Sequence, residues 1–155
     1  MGLDSASSKK KYYFTFLAYL FSAVTAVIGI LLWFTIRETL MVTLTYVSFN
    51  FWSLPAIDNF SFLILGIAWL ILVYFSYYYY QKGFKDGKVL SKILHITGVQ
   101  SLLFFVCKII MISTGLVTGT SNYFIAAAEC FVGVGFIYYA TRRNREEMKD
   151  NSLTS

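Results

Sequence analysis

Lys108 and Glu129 are the two residues of this sequence best placed to do chemistry, because each lies inside an otherwise apolar run. A charge within a bilayer is costly, so such side chains face protein or water and usually pair with one another. Lys108 lies about seven residues before the outer end of its run and Glu129 about seven to eight after the outer start of the next. At ~1.5 Å per helical residue both therefore sit ~10–12 Å below one boundary. The connecting residues 115–121 are few, which makes the two runs an antiparallel hairpin and lets the charges meet. An ammonium and a carboxylate held this way have two uses. They can fix the register of two helices, or they can bind a proton or a substrate during transport.

The residues around the pair indicate which helix faces look inward. Ala126 and Gly133 flank Glu129 at i−3 and i+4, and small residues there let a second helix approach closely. Thr97, Ser101, Phe104, Lys108 and Met111 form one stripe on the preceding run, with Gln100 beside it. The first apolar run has its own small-residue face: Thr15, Ala18, Ser22, Thr25 or Ala26, and Gly29. That face serves packing within the bundle or against another subunit.

Other side chains offer little chemistry. Cys107 and Cys130 lie in apolar runs without metal-ligand spacing, and they read as packing residues. His95 is the one histidine, so no metal cluster and no bis-histidine haem is expected. It reads as an interfacial hydrogen-bonding residue. There is no phosphate loop and no Ser/His/Asp set, so neither catalysis nor a cofactor is expected. Paired external cysteines, as in membrane thiol oxidases, are missing. So are an intramembrane aspartate pair, as in lipoprotein signal peptidases, and an acid in the first run, as in small multidrug exporters.

The elements that must carry these residues follow from composition. The chain has 155 residues, 57% of them hydrophobic and 14% charged, with a mean hydropathy of +0.63. Soluble domains carry about 25% charged residues, so lipid is the natural solvent here. Apolar runs at about 12–36, 60–80, 93–114 and 122–140 are each long enough to cross a bilayer core that needs ~20 helical residues. The expected fold is all-α, a four-helix membrane bundle spanning 12–140. Residues 1–11 should form a disordered tail and 141–155 a mixed-charge tail.

Charge orients this bundle. Lys9, Lys10 and Lys11 precede the first run; Lys82, Lys85, Lys88 and Lys92 lie between the second and third; Arg142, Arg143, Arg145 and Lys149 follow the fourth. Of the 13 basic residues, only Arg37 and Lys108 fall elsewhere. The positive-inside rule makes the clustered side cytoplasmic, with both termini inside and a cell-membrane location. The net charge of +5 is thus matched to anionic headgroups rather than to nucleic acid. Tyr12, Tyr13, Tyr77 to Tyr80, Tyr138 and Tyr139 form an aromatic belt on that side.

Residues 37–59 are too polar for a clean span and too apolar for an ordinary loop. Leu40, Leu44, Val47, Phe51 and Leu54 make a helical stripe, whereas Val42–Tyr46 alternates as a strand would. The expectation is an amphipathic segment on the outer leaflet or a partner-docking surface, with Phe49, Phe51, Trp52 and Leu54 covered. Asp58 or Asn59 would cap the second span. The functional expectation is a small non-catalytic subunit that packs into and stabilises a larger membrane complex, with lipid and other membrane chains, or copies of itself, as partners. The alternative is a small proton-coupled or ion transporter built on Lys108 and Glu129.

Overall fold

A computed structural model describes residues 3–47, 50–115 and 119–153, with side chains for 12–47, 50, 52–115 and 119–146. The described residues form four α-helices: α1 (Leu3–Tyr46), α2 (Leu54–Asp86), α3 (Val89–Ser113) and α4 (Thr120–Leu153), with a 3-10 turn at Phe51–Ser53. All four are long and apolar enough to cross a membrane, as the run lengths require. The chain is therefore a multi-pass membrane protein.

The helices extend beyond the apolar runs. α1 has 44 residues, ~66 Å at ~1.5 Å each, about twice a bilayer core. It begins at Leu3, so the segment expected to be a disordered tail is helical from that residue on. It also continues past Arg37 through the stretch expected to lie on the outer leaflet. Threonine makes this possible. The hydroxyls of Thr35, Thr39, Thr43 and Thr45 donate to the carbonyls of Leu31, Thr35, Thr39 and Met41 at 2.7–2.9 Å. A β-branched threonine that bonds the carbonyl one turn back sits in a helix without leaving its hydroxyl unpaired. Residues 37–59 are thus divided among the end of α1, the 3-10 turn and the start of α2, rather than forming one segment.

α2 begins at Leu54, six residues before the apolar run, with Pro55 in its first turn, where the missing N–H costs nothing. The residue before it, Ser53, makes no side-chain cap. The expected cap, Asp58, lies inside the helix. α2 ends at Asp86 because Gly87 takes the left-handed conformation, φ 70°, and Lys88 N–H donates to the Gly83 carbonyl at 2.9 Å. The turn into α3 is only Gly87 and Lys88.

α1 packs along α2 and α3 along α4; α3 also lies against α1 and, more lightly, against α2. α3 is thus the centre of an open array and α4 leans on it from outside. Among the described residues the buried side chains are small or polar: Ala18, Ser22, Thr25, Thr39, Ser61, Ser76, Ser91, Gln100, Cys107, Ala126 and Ala140, with Leu32 and Tyr80 the larger apolar members. Large apolar side chains point outward. Lipid tails are as apolar as leucine, so helices in a membrane gain more from close backbones and hydrogen bonds than from burying leucine.

Candidate functional site

The third and fourth helices bring Lys108 and Glu129 together. Lys108 Nζ donates to Glu129 Oε1 at 3.2 Å, with the two side chains 26% and 24% exposed. The hairpin below them fixes their register. An added Cβ on Gly98 would lie 2.9 Å from Ile137 Cγ1 and 3.0 Å from the Gly133 carbonyl oxygen. One on Gly133 would lie 2.8 Å from Leu102 Cγ. The two glycines therefore mark the closest approach of α3 and α4. Ala126, 3% exposed, shares the face with Gly133. Ser101 Oγ donates to the Glu129 carbonyl at 2.8 Å, and Ser91 Oγ to the Ala140 carbonyl at 2.9 Å. Glu129 Oε2 is buried with no hydrogen-bond partner. Chemically, this is a carboxylate with one oxygen on an ammonium and the other able to take a proton or a donor.

A second polar cluster joins α1, α2 and α3. Gln100, 2% exposed, donates from Nε2 to the Thr25 carbonyl at 3.2 Å. Thr25 Oγ1 and Tyr80 OH lie 2.7 Å apart. Ser22 Oγ is 3.4 Å from the Val73 carbonyl, to which it donates. Ala18 is fully buried, Gly29 packs against Trp69, and the half-buried Ala26 offers its carbonyl to Trp69 Nε1 at 3.0 Å. The small-residue face of α1 is therefore used inside the array. Tyr80 is a core residue and not part of an aromatic belt, because it is completely buried while Tyr78 is 60% exposed. Ser76 and Gly83, also buried, stand at i−4 and i+3 on its helix face.

The third feature is an ion pair between Arg37, nine residues before the end of α1, and Asp58 in the second turn of α2. Arg37 Nε donates to Asp58 Oδ1 at 2.7 Å and Nη2 to Oδ2 at 2.6 Å, a bidentate fork. The guanidinium also lies over the Phe62 ring, 5.6 Å from its centroid. Asp58 is occupied by this pairing and does not cap α2. The available signal was that Arg37 and Asp58 stand on either side of one connection.

Around that connection, Leu44 and Leu54 are half-buried, whereas Val47 and Trp52 are 65% and 86% exposed. The side chains of Phe49 and Phe51 lie outside the described residues, as do those of Lys9, Lys10, Lys11 and Lys149. His95 is exposed on α3. It lines a groove of about 420 Å³ between α2 and α3, together with Leu72, Phe75, Tyr79, Val99 and Gln100. Cys107 is buried on α3; Cys130, half-buried on α4, is also a free thiol. Among the described residues, no three metal-ligating side chains come together.

No family model matches the chain. No curated protein and no solved structure matches it either, so its function has to be argued from the geometry above.

Proposed function

We propose that this chain is a small non-catalytic membrane subunit that packs into and stabilises a larger membrane complex, with both termini cytoplasmic. The observation that carries the reading is the open side of α4. Phe124, Phe131 and Tyr138 are 73%, 80% and 66% exposed, at i, i+7 and i+14 along one face. Ala128 and Gly135 lie between them, and a Cβ on Gly135 would meet nothing within 4 Å. At 100° per residue this face is opposite the one that carries Ala126, Glu129 and Gly133. It combines large rings with small gaps, the surface against which another membrane helix packs closely. The intramembrane charges support the reading as well, because Lys108 and Glu129 neutralise each other.

The reading is tested by extracting the complex in native nanodiscs and weighing it by native mass spectrometry. A larger membrane chain in fixed ratio is expected. Gly135→Leu should release it while the array stays folded, since the new side chain enters open space. A lone chain, or a homo-oligomer with no other polypeptide, would overturn the proposal. For topology, a cysteine placed at Gly87 should resist a membrane-impermeant reagent in sealed cells, and labelling from outside would reverse the orientation.

A second reading, a proton-coupled or ion transporter, is favoured by one observation. Glu129 Oε2 is buried without a partner, beside the ammonium of Lys108. A proton taken up there would weaken the ion pair and free the lysine. Flux into liposomes carrying the purified chain alone, lost in Glu129→Gln, would select this reading over the first.

A further inference from the structure

We propose that the groove between α2 and α3 is a binding site for a neutral, membrane-soluble molecule bearing an aromatic hydroxyl, which donates a hydrogen bond to Gln100 Oε1. Three observations meet here. Gln100 lies near the middle of α3, between Val89 and Ser113, and is 2% exposed. Its Nε2 is turned to α1 and bonded to the Thr25 carbonyl, and its Oε1 is buried with no partner. A buried amide oxygen left unpaired costs roughly 1–3 kcal/mol. Acyl chains contain no donor, so lipid filling the groove leaves that cost in place.

The groove supplies the room and the walls. Its volume of about 420 Å³ lies within the range of small-molecule sites, and Gln100 is among its lining residues. Phe75, Tyr78 and Tyr79 line it too, and such rings favour a flat aromatic partner in stacked or edge contact. Among the described residues no Lys, Arg, Asp or Glu lines it, so an ionised occupant would find no counter-charge. His95 stands five residues before Gln100 on the same helix, ~7.5 Å away along the axis, and offers a second polar contact at the rim. The Gln100 oxygen is covered by protein, so a ring with a hydroxyl at its inner end meets these demands by displacing the side chains that cover it. The site is separate from the α4 face and does not depend on the subunit reading.

The test uses the full chain in phosphatidylcholine nanodiscs with two probes: a diazirine-bearing alkylphenol and its methyl ether. The ether keeps the shape and loses the donor. The phenol should label peptides containing Phe75, Tyr79 or Val99 saturably, with competition by untagged phenol. The ether should label them roughly tenfold less, the loss of about one net hydrogen bond. Gln100→Met should bring the phenol down to the level of the ether. Because that variant also loses the bond to Thr25, Val99→Trp serves as a second one. Val99 is 42% exposed on the groove wall, and a tryptophan there should block both probes without entering the core. Equal labelling by the two probes would mean that water or nothing serves the Gln100 oxygen. Unsaturable labelling spread over all lipid-facing helices would mean partition into the bilayer only. Either result overturns the proposal.

Discussion

The α3–α4 and α1–α2 hairpins solve the same problem in different ways. α3 and α4 meet backbone to backbone at Gly98 and Gly133, and hydroxyls of Ser91 and Ser101 reach carbonyls of the facing helix. α1 and α2 are held apart by rings. Tyr19 stacks on Tyr77 with centroids 4.5 Å apart, Phe14 on Phe84 at 5.5 Å, and Trp33 lies 4.9 Å from Phe62. Each hairpin carries one interhelical ion pair on the side of its connection, Lys108 with Glu129 and Arg37 with Asp58. The lesson is that helices without a hydrophobic drive to associate can be joined by contact through small residues or by interdigitated aromatics. The first kind sets backbone against backbone at Gly98 and Gly133; the second leaves room at Gly66, although Gly29 is close to the Trp69 ring.

The sharpest break of this comparison is a side chain at the glycine contact. Gly98→Val would set a branched side chain where a single Cβ already lies 3.0 Å from a backbone oxygen. Overpacking of this kind costs typically 1–3 kcal/mol, and more where backbones must part. α4 should then separate from α3, read as proteolysis of α4 in detergent. Unchanged protection would show that the hairpin does not depend on this contact.

Glu129→Ala is comparable in size. It leaves the Lys108 ammonium without its partner, a loss of roughly 3–5 kcal/mol for a buried pair, less here because both groups keep some exposure. The double variant Lys108→Met with Glu129→Gln should restore most of the melting temperature, since neither half is orphaned. Additive losses in the double would mean that the two side chains do not stabilise each other.

Breaking the other ion pair should matter less. Arg37 and Asp58 are 34% and 23% exposed, and Asp58 lies in the second turn of α2; partly exposed pairs are worth little. Arg37→Gln should lower the melting temperature by less than Glu129→Ala, and the loss should shrink as salt is raised. A larger or salt-independent loss would invert the ranking of the two hairpins.

The smallest effect is expected at Gly66. A Cβ there would meet Trp33 at 3.7 Å, an ordinary contact. Gly66→Ala should be neutral or slightly stabilising, by well under ~1 kcal/mol. A loss as large as that of Gly98→Val would erase the distinction between the hairpins.

How much of this was legible in the sequence differs element by element. Lys108 and Glu129 could be set at one depth because the short connection and the helical rise determine how far each lies from it. The small faces of α1 and α4 could be read from period alone. Gly98 was not singled out, because a lone glycine in an apolar run does not say which residue opposes it. Tyr80 looked like its three tyrosine neighbours, and only the rotation of α2 against α1 sends it inward while Tyr78 stays outside.

The sequence by itself determined the solvent, the number of crossing helices and their approximate positions, since each of these depends on the length and polarity of contiguous runs. The tertiary structure decided where the helices stop and what they touch. It carried α1 through Thr39 and Thr43, where i−4 hydroxyl bonds leave no polar group unpaired in a helix that a β-branched pattern argues against. It paired Arg37 with Asp58 and set Gln100 against Thr25. It also left α4 leaning on α3, with one face open. Run length is a property of one segment at a time, whereas partner choice depends on how several helices rotate and cross at once, and no single run records that.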